Sequence, residues 1–145
     1  MFFLKELPTQ AMIHRYSDEF FPGHAESVAN TLKELREYSA LIRQLDDYFA
    51  SHNLSQLRFL VMMVIDRELD RNSLYAYEIA ERLDVSKPVL SRAIKKLTED
   101  SLLISTKDPK DARAILLSLT PAGKKLLNEI LPEYFQILSG NATPE

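Results

Sequence analysis

Between Ser86 and Leu97 the chain gathers Lys87, Arg92, Lys95 and Lys96 with the hydroxyls of Ser86 and Ser91, and holds no acidic residue. Cationic and hydroxyl donors packed this closely suit phosphate oxygens and the base edges of a duplex groove, where Arg can bond guanine in bidentate fashion. A second basic group follows at Lys107, Lys110 and Arg113, with Asp111 among them. The formal charge of the whole chain is −3, which alone argues mildly against a nucleic-acid partner. The average hides a division. Residues 86–113 carry seven basic and four acidic side chains, a local net of +3, whereas the rest carries 11 basic and 17 acidic ones, a net of −6. The chemistry suited to a polyanion is confined to one segment.

Composition excludes much else. The chain has no cysteine, so disulfide scaffolds, thiolate-ligated zinc and thiol redox sensing are all removed. His14, His24 and His52 lack ligand spacing, and Gly23, Gly123 and Gly140 form no phosphate-cradling loop. Neither G-x-S-x-G nor H-E-x-x-H occurs, and Asp46-Asp47 falls on a solvated helix face. No enzyme activity, metal or cofactor is expected. The longest apolar run, Phe59 to Ile65, is too short to cross a bilayer, and Met1-Phe2-Phe3-Leu4 meets Lys5 and Glu6 before a secretory core develops. A cytoplasmic protein without a membrane partner is the expectation.

At 145 residues, 46% apolar and 27% charged, the chain has the size and composition of one globular domain with helical arms. A short helix is expected from Leu7 to Phe21 and a long amphipathic one from about Ala25 to Ala50. In the long helix Val28, Leu35, Ile42 and Phe49 recur every seven residues, with Tyr38 and Leu45 between them and Leu32 and Leu41 widening the stripe. Periodicity leaves two readings open: an intrachain core or a partner helix. Asn53-Leu54-Ser55 offers capping chemistry for a helix over Gln56 to Glu68, and Asp70-Arg71-Asn72-Ser73 reads as a turn with Ser73 as a cap. Helices over Ala76–Leu83 and Lys87–Asp100 follow, then strands over Leu102–Thr106 and Ala114–Leu119 around a charged loop. Thr120-Pro121 starts the last helix, which Pro132 is expected to bend.

Two short helices about a tight turn and then a hairpin constitute a winged helix-turn-helix. Ala80 is small for a close helix crossing, Asp84 sits where the turn favours a left-handed residue, and Ser86 caps the second helix. At about 100° per residue Leu90, Ala93, Ile94 and Leu97 share one face, opposite Pro88, Ser91, Arg92, Lys95 and Lys96. Asp111 is expected to orient Arg113 or Arg92, or to serve only the turn. The fold class is therefore mainly α, with a DNA-binding lobe over 53–120 that includes a small hairpin wing. Residues 1–52 and 121–145 flank it with N- and C-terminal helices. DNA-contact candidates are Ser86, Lys87, Pro88, Ser91, Arg92, Lys95 and Lys96 on the helix, and Lys107, Lys110, Asp111 and Arg113 on the wing.

Residues 54–127 resemble the DNA-binding lobe of MarR-type transcriptional regulators. The likeness rests on Leu54-Ser55-x-x-x-Phe59, Glu78-Ile79-Ala80, Val85-Ser86-x-x-x-Leu90-Ser91-Arg92, Lys96-Leu97 and Leu102-Leu103. It continues in Asp108-Pro109-x-Asp111-x-Arg113-Ala114 and Leu119-Thr120-Pro121-Ala122-Gly123. The resemblance implies a homodimer held by N- and C-terminal dimerisation helices within 1–52 and 121–145, which places two recognition helices on a pseudo-palindromic duplex, with Ser91 and Arg92 at groove-reading positions and Arg113 at the wing tip. It also implies a repressor released by a small aromatic or acidic effector. For such a ligand His14, Arg15, Tyr16, Tyr38, Arg58 and Met62 could line a crevice; the alternative makes Tyr38 and Met62 core and the others surface. Three departures stand out. Ser101 replaces a usual glycine and asks for a different exit turn, Ser105 and Thr106 replace wing arginines, and Thr143-Pro144-Glu145 reads as the start of a further helix. The chain is thus expected to be a truncated form, or to use residues 1–22 in place of the missing packing. A rival reading is a winged-helix module that binds protein rather than DNA.

Overall fold

A computed structural model describes residues 2–140; Thr143-Pro144-Glu145 lies outside them. The chain divides into two compact units, one up to Asp47 and one from Tyr48 onward. In the first, helix α1 (Gln10–Phe20) is capped by Thr9, whose hydroxyl accepts from the Met12 N–H at 3.3 Å. It ends where the Phe21 N–H reaches the Ser17 carbonyl and the buried Ser17 hydroxyl donates back to the Phe21 carbonyl, both at 2.8 Å. Gly23 turns the chain with φ +84° into α2 (Ala25–Ser51). The expected seven-residue stripe is split. Leu45 and Phe49 are buried, whereas Val28, Leu35, Tyr38 and Ile42 remain 43–62% exposed. The last turns of α2 are core, and the face before them stays about half exposed.

The second unit begins within α2 at Tyr48. Asn53, in a left-handed conformation that Asn tolerates (φ 57°), redirects the chain into α3 (Gln56–Asp66), and the Ser55 hydroxyl caps it by accepting from the Arg58 N–H at 3.2 Å. Phe49 stacks on Phe59 at 4.6 Å, and both rings meet Tyr134 of α6 (Pro121–Leu138). The Tyr48 hydroxyl donates to the Ile130 carbonyl at 2.9 Å. The rest of the core comes from Val61, Met62, Val64, Ile65, Leu127 and Ile130 with residues of the winged segment. Helix α6 runs through Pro132 without interruption. No helix among the described residues is long and apolar enough to cross a membrane.

The winged segment comprises β1 (Ser73–Tyr75), α4 (Ala76–Arg82), α5 (Lys87–Glu99), β2 (Leu103–Lys107) and β3 (Ile115–Leu119). Its antiparallel sheet has the order β1-β3-β2, with Leu74 opposite Leu117 and Leu103 opposite Leu119. Ser73 opens a strand instead of capping a helix. Three residues are too short to show a period of two, and β1 is defined only by its pairing with β3. Asp84 does not take a left-handed backbone; α4 ends by extension at Leu83 (φ −125°, ψ 136°). Ser86 holds the cap position, yet its hydroxyl makes no cap bond. Pro88 in the first turn has no N–H to offer, which removes one of the hydroxyl's usual donors.

At the end of α5 the exit turn keeps the geometry that a glycine would give. Ser101 adopts φ 58°, its N–H reaches the Thr98 carbonyl at 3.1 Å, and the Leu102 N–H reaches the Leu97 carbonyl at 2.9 Å. This is a Schellman closure. The Leu102 carbonyl then accepts from the Thr120 N–H, and the Ser101 carbonyl from the Thr120 hydroxyl. That hydroxyl also accepts from the Gly123 N–H at 3.0 Å, capping α6. A Cβ on Gly123 would lie 2.2 Å from the Leu102 carbonyl oxygen. Ser101→Gly is therefore expected to raise stability by about 0.5–1 kcal/mol by relieving the left-handed backbone. Gly123→Ala is expected to lower it by about 1–3 kcal/mol through overpacking. Chemical denaturation midpoints of the two variants check both signs.

Candidate nucleic-acid interface

Helix α5 is held by one face and open on the other. Leu90, Ala93 and Leu97 are buried and Ile94 is half-buried, whereas Ser86, Lys87, Pro88, Ser91, Arg92, Lys95 and Lys96 are all exposed. The expected division of faces is the one observed, and it turns a continuous row of donors outward. The cations differ in how far they are engaged. Lys96 pairs with Asp100 at 2.9 Å, and Arg58 approaches the same carboxylate at 3.8 Å. Lys95 is only loosely paired with Glu99 at 3.9 Å, and both are well exposed. Lys87 and Arg92 form no ion pair among the described residues. Lys96 is thus partly neutralised within the chain, and Lys87 and Arg92 carry the most available charge on the helix.

The wing's acids are bonded within the lobe. One Asp108 oxygen accepts from the Lys110 N–H at 2.8 Å, and the other accepts from the Tyr75 hydroxyl. Asp111 accepts from the backbone N–H of Arg113 at 2.9 Å, so it shapes the loop backbone and does not engage a guanidinium. The carboxylates are matched locally by amide donors, leaving the side chains of Lys107, Lys110 and Arg113 exposed without ion pairs among the described residues. Ser105 and Thr106 lie exposed on β2, adding hydroxyls in place of charge.

Residues 52–114 match the model of the MarR family. The winged lobe is of the MarR type. Over the chain as a whole, the HTH-type transcriptional repressor YetL of Bacillus subtilis is 26% identical across 136 residues, which span 94% of this chain and 81% of YetL. Among solved structures it is similar to Sco3205, a MarR family transcriptional regulator from Streptomyces coelicolor in complex with DNA. That likeness has a TM-score of 0.73 and 18% identity, and covers 81% of this chain and 73% of the other. It is also similar to BpsR of Bordetella bronchiseptica, whose structure concerns regulation of DNA binding by 6-hydroxynicotinic acid. There the TM-score is 0.64 and the identity 23%, with 73% and 74% of the two chains covered. At such identities the structural likeness establishes the fold.

Several residues that organise the MarR-type lobe escape a reading by charge and periodicity. Arg71 forms a two-pronged pair with Glu78 at 2.7 and 2.8 Å, and Glu78 also accepts from the Tyr75 N–H at 2.8 Å. The signal available was a glutamate three residues after the helix boundary, the spacing of a capping carboxylate. The six suggested effector residues have different surroundings. Met62 is fully buried core, and Arg58 donates to the Asn53 carbonyl and Ser55 hydroxyl beside Asp100. Tyr16 lines an apolar cleft between α1 and α2 with Phe20 and Leu32, whereas Tyr38 lines a different one with Phe2, Ile42 and Arg43. His14 and Arg15 are exposed on α1.

The Tyr75 hydroxyl, then the Lys110 amide, hold the Asp108 carboxyl below the usual aspartate range, while the same bond raises the tyrosine. Glu78 is likewise held down, chiefly by Arg71. A carboxyl depressed on folding adds stability above its unfolded value and loses it as pH falls through the folded one. Tyr75→Phe is expected to return the Asp108 carboxyl upward toward the ordinary range, and carboxyl-carbon NMR titration reads the change directly.

Proposed function

We propose that this protein is a sequence-specific double-stranded DNA-binding transcriptional regulator. The observation that carries the reading is the exposed face of α5, where Ser91, Arg92 and Lys95 project from a helix whose opposite face is locked in the lobe core. Such a helix has the dimensions and donors for a major groove, and the wing cations suit flanking phosphates or the negative potential of a minor groove. The protein acts as a homodimer. Its half-exposed stripe of Val28, Leu35, Tyr38 and Ile42 on α2, together with exposed Phe135 and Leu138 on α6, offers apolar surface that water does not favour. Two copies present two recognition helices to the halves of a pseudo-palindromic site. The regulator is a repressor, in line with the similarity to YetL.

A small aromatic or acidic effector would release it by favouring a dimer whose recognition helices no longer match the half-site spacing. Binding is tested by mobility shift on genomic fragments across a salt series. Arg92→Ala is expected to cost about 1–3 kcal/mol on a cognate site and to relax its sequence preference. Lys95→Ala is expected to weaken binding evenly across sequences and to lower the salt slope by about one. Lys96→Ala should do less than Lys95→Ala, because Asp100 already neutralises Lys96. Unchanged affinity in both Arg92→Ala and Lys95→Ala would contradict the groove assignment and leave the protein-binding rival.

A further inference from the structure

We propose that Tyr75 is the positioning residue of the wing, tethering the loop that carries Lys110 and Arg113 to the start of α4 so that both cations are held in place for the DNA backbone. The inference rests on the DNA-binding reading above. Tyr75 stands at the junction of β1 and α4, and its position is fixed from several sides. Its backbone lies opposite Leu116 of β3, and its N–H is held by Glu78, itself clamped by Arg71. The ring stacks against Tyr77 with centroids 5.4 Å apart and planes 9° from parallel, and the Arg71 guanidinium lies 5.9 Å above it. Little freedom remains for the phenol, whose hydroxyl donates to Asp108 across 33 residues of sequence.

Asp108 passes that restraint into the loop. Its own N–H donates to the Ala114 carbonyl at 3.0 Å, closing the base, and its second oxygen holds the Lys110 N–H. Inside this ring the Asp111 carbonyl accepts from the Ala114 N–H at 3.0 Å while its side chain holds the Arg113 N–H. Tyr75 is thus the bond from outside the hairpin that anchors the base of the tip. Long cationic side chains lose considerable entropy on binding, and fixing the backbone beneath them lowers that cost.

The test uses the full chain, with Tyr75→Phe, Asp108→Ala and the double variant. Phenylalanine keeps the ring, its stacking and the backbone bonds, and removes only the donor. Tyr75→Phe is expected to bind a cognate duplex about three- to tenfold more weakly, with only a small fall in thermal midpoint from the lost bond to a partly exposed carboxylate. The slope of log affinity against log salt should fall by about one to two as Lys110 and Arg113 lose their phosphates. The double variant should bind no more weakly than Asp108→Ala alone. In the DNA-free protein, the Lys110 and Arg113 amides should exchange faster in Tyr75→Phe. A lowered thermal midpoint with an unchanged salt slope would make Tyr75 a merely structural residue and overturn the proposal. So would unchanged amide exchange together with unchanged affinity. Failure of the DNA reading itself would look different: the wild-type chain would bind no duplex while its wing amides stayed protected.

Discussion

Helix α5, the wing and helix α6 all meet at Ser101 and Leu102. Within two residues the chain closes α5 through a left-handed backbone, starts β2, and presents two carbonyls to Thr120 at the head of α6. The direction in which α5 leaves the core is fixed by this turn, because the bonds from Ser101 to Thr98 and from Leu102 to Leu97 admit one helical ending. Gly123 sits flush against the same peptide, which explains why no larger residue fits there. The exposed cationic face follows as a consequence. Once Leu90, Ala93 and Leu97 are docked, Ser91, Arg92 and Lys95 have no direction left but outward.

Electrostatics within the lobe obey a second constraint. Unmatched carboxylates would cancel the positive potential of the basic segment, which holds four acids. Each is matched. Glu99 and Asp100 lie one turn after Lys95 and Lys96, and Asp108 and Asp111 accept from amides and a phenol. The cost falls on Lys96, whose charge is partly neutralised, and the benefit falls on the wing, whose carboxylates shape a loop that a run of cations alone would splay apart. Arg71 and Glu78 extend the same logic to the start of α4.

Much of this was legible in the residues. The faces of α5, the hydroxyl caps at Ser55 and Thr120, and the hairpin around the 107–113 loop all follow from periodicity and turn chemistry. What escaped depends on partners distant in sequence. β1 exists because Leu74 meets Leu117, and a three-residue strand has no pattern of its own. Ser101 was read as altering the exit turn, but the bonds to Thr98, Leu97 and Thr120 together outweigh the backbone preference of one serine. Ser86 and Asp84 show the converse: local rules for a cap and a left-handed turn yielded to Pro88 and to the extended Leu83. The Tyr75–Asp108 bond spans two separate motifs, so no local reading could join them. The suggested effector residues share a chemistry but not their surroundings: Met62 is buried in the core, and Tyr16 and Tyr38 line separate clefts.

The central claim is that two copies of the α5 face read one duplex. Selection of bound DNA from a random duplex pool by the purified full chain tests it most directly. The account predicts enrichment of a pseudo-palindrome whose half-sites lie about one helical turn apart, roughly 10 base pairs centre to centre. An unenriched pool, or a single half-site without a symmetric mate, would contradict it.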